Sequence, residues 1–586
     1  MAFKILSTTD VHGNLLAYNF VNSDIANKGL SRFSTFLKEE RKNGKVIYVD
    51  NGDINQGTPL VTYANANLKE NIVAKALNHL HCDYINIGNH DFNYGSVFLY
   101  NYVKETNAKC ITGNVKYKDE KLGNTDIIDI DNKKVALIGV VTDYIDHWEN
   151  PKNLENLEIL SVFETVKNSV EAVRDKVDYV VVFYHGGFER DLESGNPTEN
   201  LTGENVGYEI CDKISGIDVL VTGHQHRTLT GKIKDTLVIQ CADGCSTCME
   251  ILFDKNISVN LKDISEYEID VEMEEKFKEV LNETEKWLDI EIGSCNKEMY
   301  ISDTKTAQLE KHSITSFINK IQKETMGADI SSCCLFEVMP GFGKKLRYRD
   351  IILNYPFPNT LVLKEMSGQN ILDYLTQLST YWIVKDNKID INPKFLYPKR
   401  EMYNYDMLDG IEYTMNISKS GKNFLTDVKV DGEDLILDKK YKLVLNNYRA
   451  TGGGNFSYFP ELKTLKEDTR DIAEVLIDYV KENKYVEIED KNNIKLKIVQ
   501  KDIEIIIKFL DKNIKIINTP DEFARPSLFS NANWKIRSTN QEMVDKLNSS
   551  TLSDEEFEKE VIKKYINQEL VPYEVAELER FQNNKL

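Results

Sequence analysis

Long apolar runs are missing from this chain. None approaches the ~20 residues that span a bilayer, the longest lying around Val177 to Tyr184, so no membrane anchor is expected. Net positive charge is missing as well. With 73 basic against 94 acidic side chains the net charge is −21, and neither a nucleic-acid polymer nor an anionic membrane is an expected partner. Any phosphate must be met by local groups. Cysteine is sparse, nine in 586 residues, and an odd count argues for reduced thiols. Cys241, Cys245 and Cys248 have a C-x3-C-x2-C spacing that can hold an iron–sulfur cluster, but they flank the strand-like runs Leu237 to Gln240 and Met249 to Phe253. Buried small side chains are the expected reading. Phe3 to Thr8 begins a strand-like run at once, leaving no room for a secretory leader ahead of it, and a cytoplasmic location is expected. No internal repeat or low-complexity segment is visible.

What the chain does have is a repeated way of ending strands. At 586 residues it is too long for one core and calls for about two to four domains. Over residues 1–255, β-branched apolar runs alternate with amphipathic stretches, the pattern of an α/β domain with covered sheets. Phe3 to Thr8 ends in Asp10-Val11-His12, and Val46 to Val49 ends in Asp50-Asn51-Gly52-Asp53. Tyr84 to Ile87 ends in Asn89-His90, Val177 to Tyr184 in His185, and Val219 to Thr222 in Gly223-His224-Gln225-His226. A single Asp or His at a strand end is ordinary turn punctuation. Here five of the nine histidines occupy these places, together with Asp10, Asp53 and Asn89. C-terminal strand ends are the edge where open α/β sheets place their sites. The mixture of imidazole, carboxylate and amide oxygen suits manganese, zinc or iron. Its size points to two divalent ions, with a carboxylate such as Asp53 able to bridge them. A pair about 3.5–4 Å apart clamps the attacking and leaving oxygens of a phosphoryl transfer.

As an ordered set, Asp10-x-His12, Gly52-Asp53, Gly88-Asn89-His90-Asp91, His185 and Gly223-His224-Gln225-His226 resemble the calcineurin-like metallophosphatases. More narrowly they resemble the branch holding 5′-nucleotidases and 2′,3′-cyclic-nucleotide 2′-phosphodiesterase/3′-nucleotidases. The resemblance implies an α/β fold: an N-terminal sandwich of two sheets flanked by helices, then an α+β C-terminal domain of 5′-nucleotidase type. It implies that Asp10, His12, Asp53 and His226 hold one metal, that Asp53, Asn89, His185 and His224 hold the other, and that His90 stabilises the five-coordinate phosphate.

Residues 256–300 change character, with Val271 to Leu288 reading as an amphipathic, Glu- and Lys-rich helix that links two domains. Residues 301–490 return to mixed α and β. There Tyr355 to Thr360, Tyr403 to Gly410 and Asn446 to Gly454 fall in the order of the family's C-terminal domain. By that resemblance Tyr405 and Tyr448 stack on a nucleotide base, and Gly452, Gly453 and Gly454 let backbone approach the ligand. Two aromatic faces give base-tolerant affinity, at roughly 1–3 kcal/mol per stacked base. Residues 491–586 lie beyond the resemblance. Ile494 to Val499, Ile503 to Phe509 and Ile514 to Ile517 read as strands and Ser553 to Glu556 as a capping box. An appendage, with any protein partner unknown, is expected there.

Two departures select the branch. The 5′-nucleotidases carry Asp three residues after the catalytic His, where this chain has Asn93, and Asp after the paired glycines, where it has Gly454. Both resemble the cyclic-phosphodiesterase branch. The expected dyad is therefore His90 with a neutral Asn93, which orients an imidazole without supplying charge. The expected activity is dimetal hydrolysis that opens 2′,3′-cyclic nucleotides to 3′-nucleotides and then releases phosphate. A 5′-nucleotidase or UDP-sugar hydrolase is the alternative within the class, and a non-catalytic nucleotide- or metal-binding protein the alternative outside it.

Overall fold

Alternation along the strands decides the architecture of the N-terminal half. The computed structural model describes residues 3–499 apart from 148, 199–200, 358, 397–398 and 419–422. Two units emerge: Met1–Glu291 with Arg347–Pro358, and Ile292–Leu346 with the chain from Asn359 onward. In the first, the strands in chain order are β1 (Phe3–Thr8), β2 (Lys45–Asp50), β3 (Tyr84–Ile85), β4 (Lys109–Cys110), β5 (Asp126–Ile130), β6 (Lys133–Val141), β7 (Tyr179–His185), β8 (Val219–Thr222), β9 (Leu229–Ile233), β10 (Thr236–Gln240), β11 (Thr247–Phe253) and β12 (Ile257–Asp263). They build two six-stranded sheets, ordered β12-β11-β1-β2-β3-β4 and β9-β10-β8-β7-β6-β5. Strands β1 to β4 run parallel to one another, as do β6, β7, β8 and β10.

Along β7, Val181 and Phe183 join one buried cluster with Phe3, Ile5, Val219 and Val221, while Val180, Val182 and Tyr184 join another. A strand with both faces buried reads as a continuous apolar run, which explains why the longest such run in the chain is this strand. Because side chains alternate, His185 emerges on the side of Val181 and Phe183, and it is fully buried. The expected strand over residues 84–87 stops at Ile85. The Asn86 side chain instead donates to Asn51 Oδ1 and to the carbonyls of Val140 and Phe183, and Ile87 N donates to Thr112 Oγ1.

Of the region expected as a linker, 256–300, residues up to Glu291 belong to the first unit and those from Ile292 to the second. β12 pairs with β11 along its whole length. Helix α1 (Leu30–Asn43) buries Leu30, Phe33, Phe36 and Leu37, and α2 (Val271–Leu288) buries Met273, Phe277 and Leu288 in the same core. Asp270 caps α2 and also accepts from Ser34 and Lys38 of α1. The Tyr355 stretch lies in the first unit too, since Arg349 pairs with Glu285 and Asp289 around α2.

In the second unit a five-stranded sheet runs in the order Asp406–Asp409, Ile330–Cys334, Lys440–Asn446, Thr360–Ser367, Thr464–Asp471. A further sheet pairs Ile411–Ser418 with Ile494–Val499 in parallel. The stretch expected to open an appendage at 491 therefore contributes a strand to this unit. The strands expected at 503–509 and 514–517 and the helix from 553 lie outside the described residues. All nine cysteines, Cys241, Cys245 and Cys248 included, are buried free thiols. Among the described residues no helix is long and apolar enough to cross a membrane.

One buried carboxylate ties two strand ends together. Asp91 accepts from Gly88 N (2.8 Å), Asp53 N (3.0 Å), Ile54 N (3.2 Å), Asn55 N (3.0 Å) and Asn55 Nδ2 (2.9 Å). Asp91→Ala strands these donors without solvent and is expected to destabilise the first unit by about 3–5 kcal/mol. The midpoint shift in urea unfolding measures it, and a loss under about 1 kcal/mol would show that the clamp is dispensable.

Candidate metal centre

Three strand ends leave their sheets through strained backbone. Asp10, His12, Asp53, His224 and His226 have φ of 53°, 47°, 57°, 67° and 53°, the left-handed region that side chains rarely adopt. Neighbouring backbone holds them there: Asp10 N donates to Gly52 O, His12 N to Asp53 O, and His224 N to the Asp10 carboxylate. The loops after β2 and β3 can touch because Gly52 and Gly88 lack side chains. A Cβ on Gly52 would stand 2.3 Å from Gly88 N, and one on Gly88 2.2 Å from Asp53 Oδ1.

All seven expected ligands come together in this fold. Donor atoms of Asp10, His12 and His226 lie within 4.8 Å of one another, as do those of Asp53, His185 and His224. Asn89 joins the second group, its Oδ1 2.8 Å from His224 Nδ1. Asp53 Oδ2 is 3.1 Å from His185 Nε2, and its Oδ1 accepts from His90 N at 2.6 Å.

Hydrogen bonds on the far side of each ring set which nitrogen is left for a cation. His12 Nδ1 donates to Gln56 O (3.1 Å), leaving Nε2, which faces His226 Nε2 at 3.1 Å. His185 Nδ1 donates to Asn51 O (2.7 Å), leaving the fully buried Nε2 to face the Asp53 and Asp10 carboxylates at 3.1 and 3.9 Å. His224 Nε2 meets Glu204 Oε1 at 2.8 Å, which leaves Nδ1 on the side of Asn89. This is the outer arrangement that metal-ligating histidines use. A buried imidazole nitrogen between two carboxylates, with the ring nitrogens of His12 and His224 that face away from the clusters already engaged, fits a pair of divalent ions. Such donors do not distinguish manganese, zinc and iron.

The charges agree. Burial pushes the Asp10 carboxyl up, but His185 and His226 outweigh it and hold the group below the usual carboxylate range. Asp53 is likewise pushed up by burial and is held well below its ordinary value by His185, His90 and His12. Burial works downward on His185, yet Asp53 and Asp10 raise it to about 10, while burial and His226 lower His12 to about 4.

In the second unit, Tyr448 is partly exposed and meets Tyr403 edge-to-face, with centroids 6.1 Å apart. Tyr405 is 0 % exposed, stacked on Tyr381 at 5.0 Å and edge-on to Trp382 at 5.1 Å. The expected role of Tyr405 in base stacking is corrected on that ground: its ring packs in the core. Arg449 is also buried, bonded to Asp406 at 2.7 Å and to Asn404. Gly452 and Gly454 have φ of 100° and 72°. A Cβ on Gly453 would meet the Tyr448 ring at 2.6 Å, and one on Gly454 would stand 2.1 Å from Arg449 Nη1.

Comparison with known proteins follows the same division. Residues 3–228 match the calcineurin-like phosphoesterase model and residues 291–461 the 5′-nucleotidase C-terminal domain. The crystal structure of a Staphylococcus aureus protein assigned as a 5′-nucleotidase is 30% identical, with a TM-score of 0.78 over 85% of this chain and 100% of that one. The chain belongs to the calcineurin-like metallophosphatase/5′-nucleotidase family. It is related to the cyclic-phosphodiesterase branch: the 2′,3′-cyclic-nucleotide 2′-phosphodiesterase/3′-nucleotidase of Salmonella typhimurium is 25% identical over 77% of this chain and 81% of the relative. The trifunctional nucleotide phosphoesterase YfkN of Bacillus subtilis is 22% identical over 84% of this chain, which spans only 38% of that protein's length.

Family motifs do not point to every residue of this centre. Glu204 comes from an irregular loop with no periodicity, and Gln56 and Asn51 act through backbone carbonyls, which carry no signal in sequence. Tyr403 sits in the family's tyrosine motif, but only packing separates it from Tyr405.

Metal uptake must displace the proton that Asp53 and Asp10 hold on His185, because a ligating imidazole is neutral. His185 is raised, so its proton is retained at neutral pH and lost only near 10. Binding is expected to release about one proton per protein from this group and to tighten as pH rises toward that value. Calorimetry in buffers of different ionisation enthalpy checks it, and buffer-independent heats would contradict it.

Proposed function

We propose that the protein is a metal-dependent hydrolase of nucleotide phosphoesters that opens 2′,3′-cyclic nucleotides to 3′-nucleotides and then releases phosphate. The observation that carries the reading is the convergence of two histidine–carboxylate clusters, Asp10, His12 and His226 in one and Asp53, His185 and His224 in the other; Asp53 is the carboxylate assigned to bridge them. When bound, two divalent ions neutralise phosphate charge and make water a competent nucleophile at neutral pH. The chain's own residues then orient the reactants. Asp53 holds both the ligand set and the His90 backbone, which keeps His90 beside the centre. His90, whose ring lies 5.3 Å from that of His12, meets charge that develops on the phosphate or the leaving oxygen.

The branch rests on Asn93 and Gly454. Position 454 supports it physically, since a carboxylate side chain there would collide with the guanidinium of Arg449 and with Asn404. Base affinity is assigned to the second unit, with Tyr448 and Tyr403 as the accessible pair in place of Tyr448 and Tyr405.

The deciding experiment offers the manganese-loaded protein 2′,3′-cyclic AMP, 3′-AMP, 5′-AMP and a UDP-sugar side by side. The first two are expected to turn over fastest; a clear preference for 5′-AMP overturns the branch, and metal binding without phosphate release overturns the enzyme reading.

The aromatic assignment has its own test. Tyr448→Ala and Tyr403→Ala are expected to raise KM for nucleotides about tenfold while sparing bis(p-nitrophenyl) phosphate, because stacking acts far from phosphorus. Tyr405→Ala should instead lower the melting temperature and affect both substrates alike. A selective KM effect at Tyr405 would return it to the site.

A further inference from the structure

Behind His90 the neutral Asn93 is not the end of the chain of contacts. His90 Nδ1 lies 2.8 Å from Asn93 Oδ1, and Asn93 Nδ2 donates to Glu149 Oε2 at 2.6 Å. The opposite oxygen, Glu149 Oε1, accepts from Asn150 N and from Asn153 Nδ2, both at 2.8 Å. Asn153 Nδ2 also donates to Asn93 O at 3.0 Å, which ties the two segments together. Burial pushes the Glu149 carboxyl up, and the donors from Asn153, Asn150 and Asn93 work against that.

A carboxylate accepts only, so the amide nitrogen of Asn93 must face Glu149 and its oxygen must face His90. That oxygen in turn needs a donor, and among the described residues the one that meets it is Nδ1–H. We propose that Glu149 is a positioning residue for His90: through Asn93 it fixes the Nδ1–H tautomer and leaves Nε2 as the nitrogen available to a phosphoester. The chain thereby keeps a carboxylate behind its imidazole, one residue further back than the aspartate of the 5′-nucleotidases. The catalytic consequence rests on the reading of His90 given above; the tautomer does not.

The geometry predicts what Glu149→Gln would do. Two donors hold an oxygen at the Oε1 position, so the new amide nitrogen must face Asn93. Asn93 then flips, presents its own nitrogen to His90, and converts Nδ1 into an acceptor. In the double variant Asn93→Asp/Glu149→Gln the carboxylate sits between two donors, His90 Nδ1–H and the glutamine amide, and the original tautomer returns.

Ring-nitrogen chemical shifts of 15N-histidine-labelled, metal-free full-length protein report this directly, at a pH where the same spectra show the His90 ring neutral. The expected result is Nδ1–H in the unaltered protein, Nε2–H in Glu149→Gln, and Nδ1–H again in the double variant. With manganese, Glu149→Gln should lower kcat by about 10²-fold on 2′,3′-cyclic AMP at unchanged metal content, and the double variant should recover most of the loss. Glu149→Ala adds no donor and should give a mixture of tautomers, which keeps the test open if Glu149→Gln folds poorly. An unmoved tautomer in both Glu149 variants, or a double variant no better than Glu149→Gln, overturns the proposal. Loss of the tautomer switch with phosphoesterase activity intact removes Glu149 alone. The switch present in a protein that hydrolyses no phosphoester would instead remove the phosphoesterase reading.

Discussion

The Asp91 carboxylate is the contact on which the centre depends. Five N–H donors from two loops converge on its two oxygens, and each of those donors would otherwise be buried without a partner. By holding Asp53 N and Gly88 N at once, it fixes the distance between the loops after β2 and β3. Asp53 and Asn89, the groups those loops contribute, are thereby placed against one another. Nothing about Asp91 is chemical in the sense of the reaction; it is the fastener that makes the ligand geometry a property of the fold.

Strain and charge are then arranged around that fastener. Five ligand-type residues sit at positive φ, a conformation that local preference opposes and only a surrounding network sustains. The same network orients three of the imidazoles, His12, His185 and His224, through Gln56 O, Asn51 O and Glu204. His185, buried between Asp10 and Asp53, keeps its proton well above its ordinary range because two carboxylates outweigh desolvation. Buried carboxylates set among imidazoles make this a donor set that suits divalent cations, in a chain of net charge −21.

In the second unit the organising group is Arg449. It is fully buried, paired with Asp406, which also receives the hydroxyl of Tyr374, and its guanidinium lies 4.3 Å from the ring centre of Phe456. A buried cation needs such pairing, and the pairing uses the space that a side chain at position 454 would need. The Gly454 departure from the 5′-nucleotidase pattern is thus tied to packing.

The alternating α/β pattern of the first unit and the ligand-type residues at its strand ends were legible in the amino-acid sequence because they follow from short-range rules, whereas the two-sheet sandwich and the division of seven residues between two metals were implied only by the family resemblance. Alternation and apolar runs mark strands, and ligand-type residues that end five of them can only gather at one edge of parallel sheets. The helix over 271–288 was legible from its period, but its attachment was not, since Met273, Phe277 and Leu288 look the same whether they face a linker's own neighbours or the core of the first unit. Tyr403 and Tyr405, two residues apart, carry the same side chain, and only packing against Tyr381 and Trp382 buries one of them. Asn93 by itself reads as a neutral dyad partner; the carboxylate of Glu149, 56 residues later in the chain, enters through a contact that no local pattern announces. Residue types and their order determined which donor groups the chain can bring to a metal centre. Tertiary structure alone decided which nitrogen of each imidazole faces the centre and which tyrosine is accessible, because both depend on partners distant in sequence whose hydrogen bonds and packing exist only once the chain is folded.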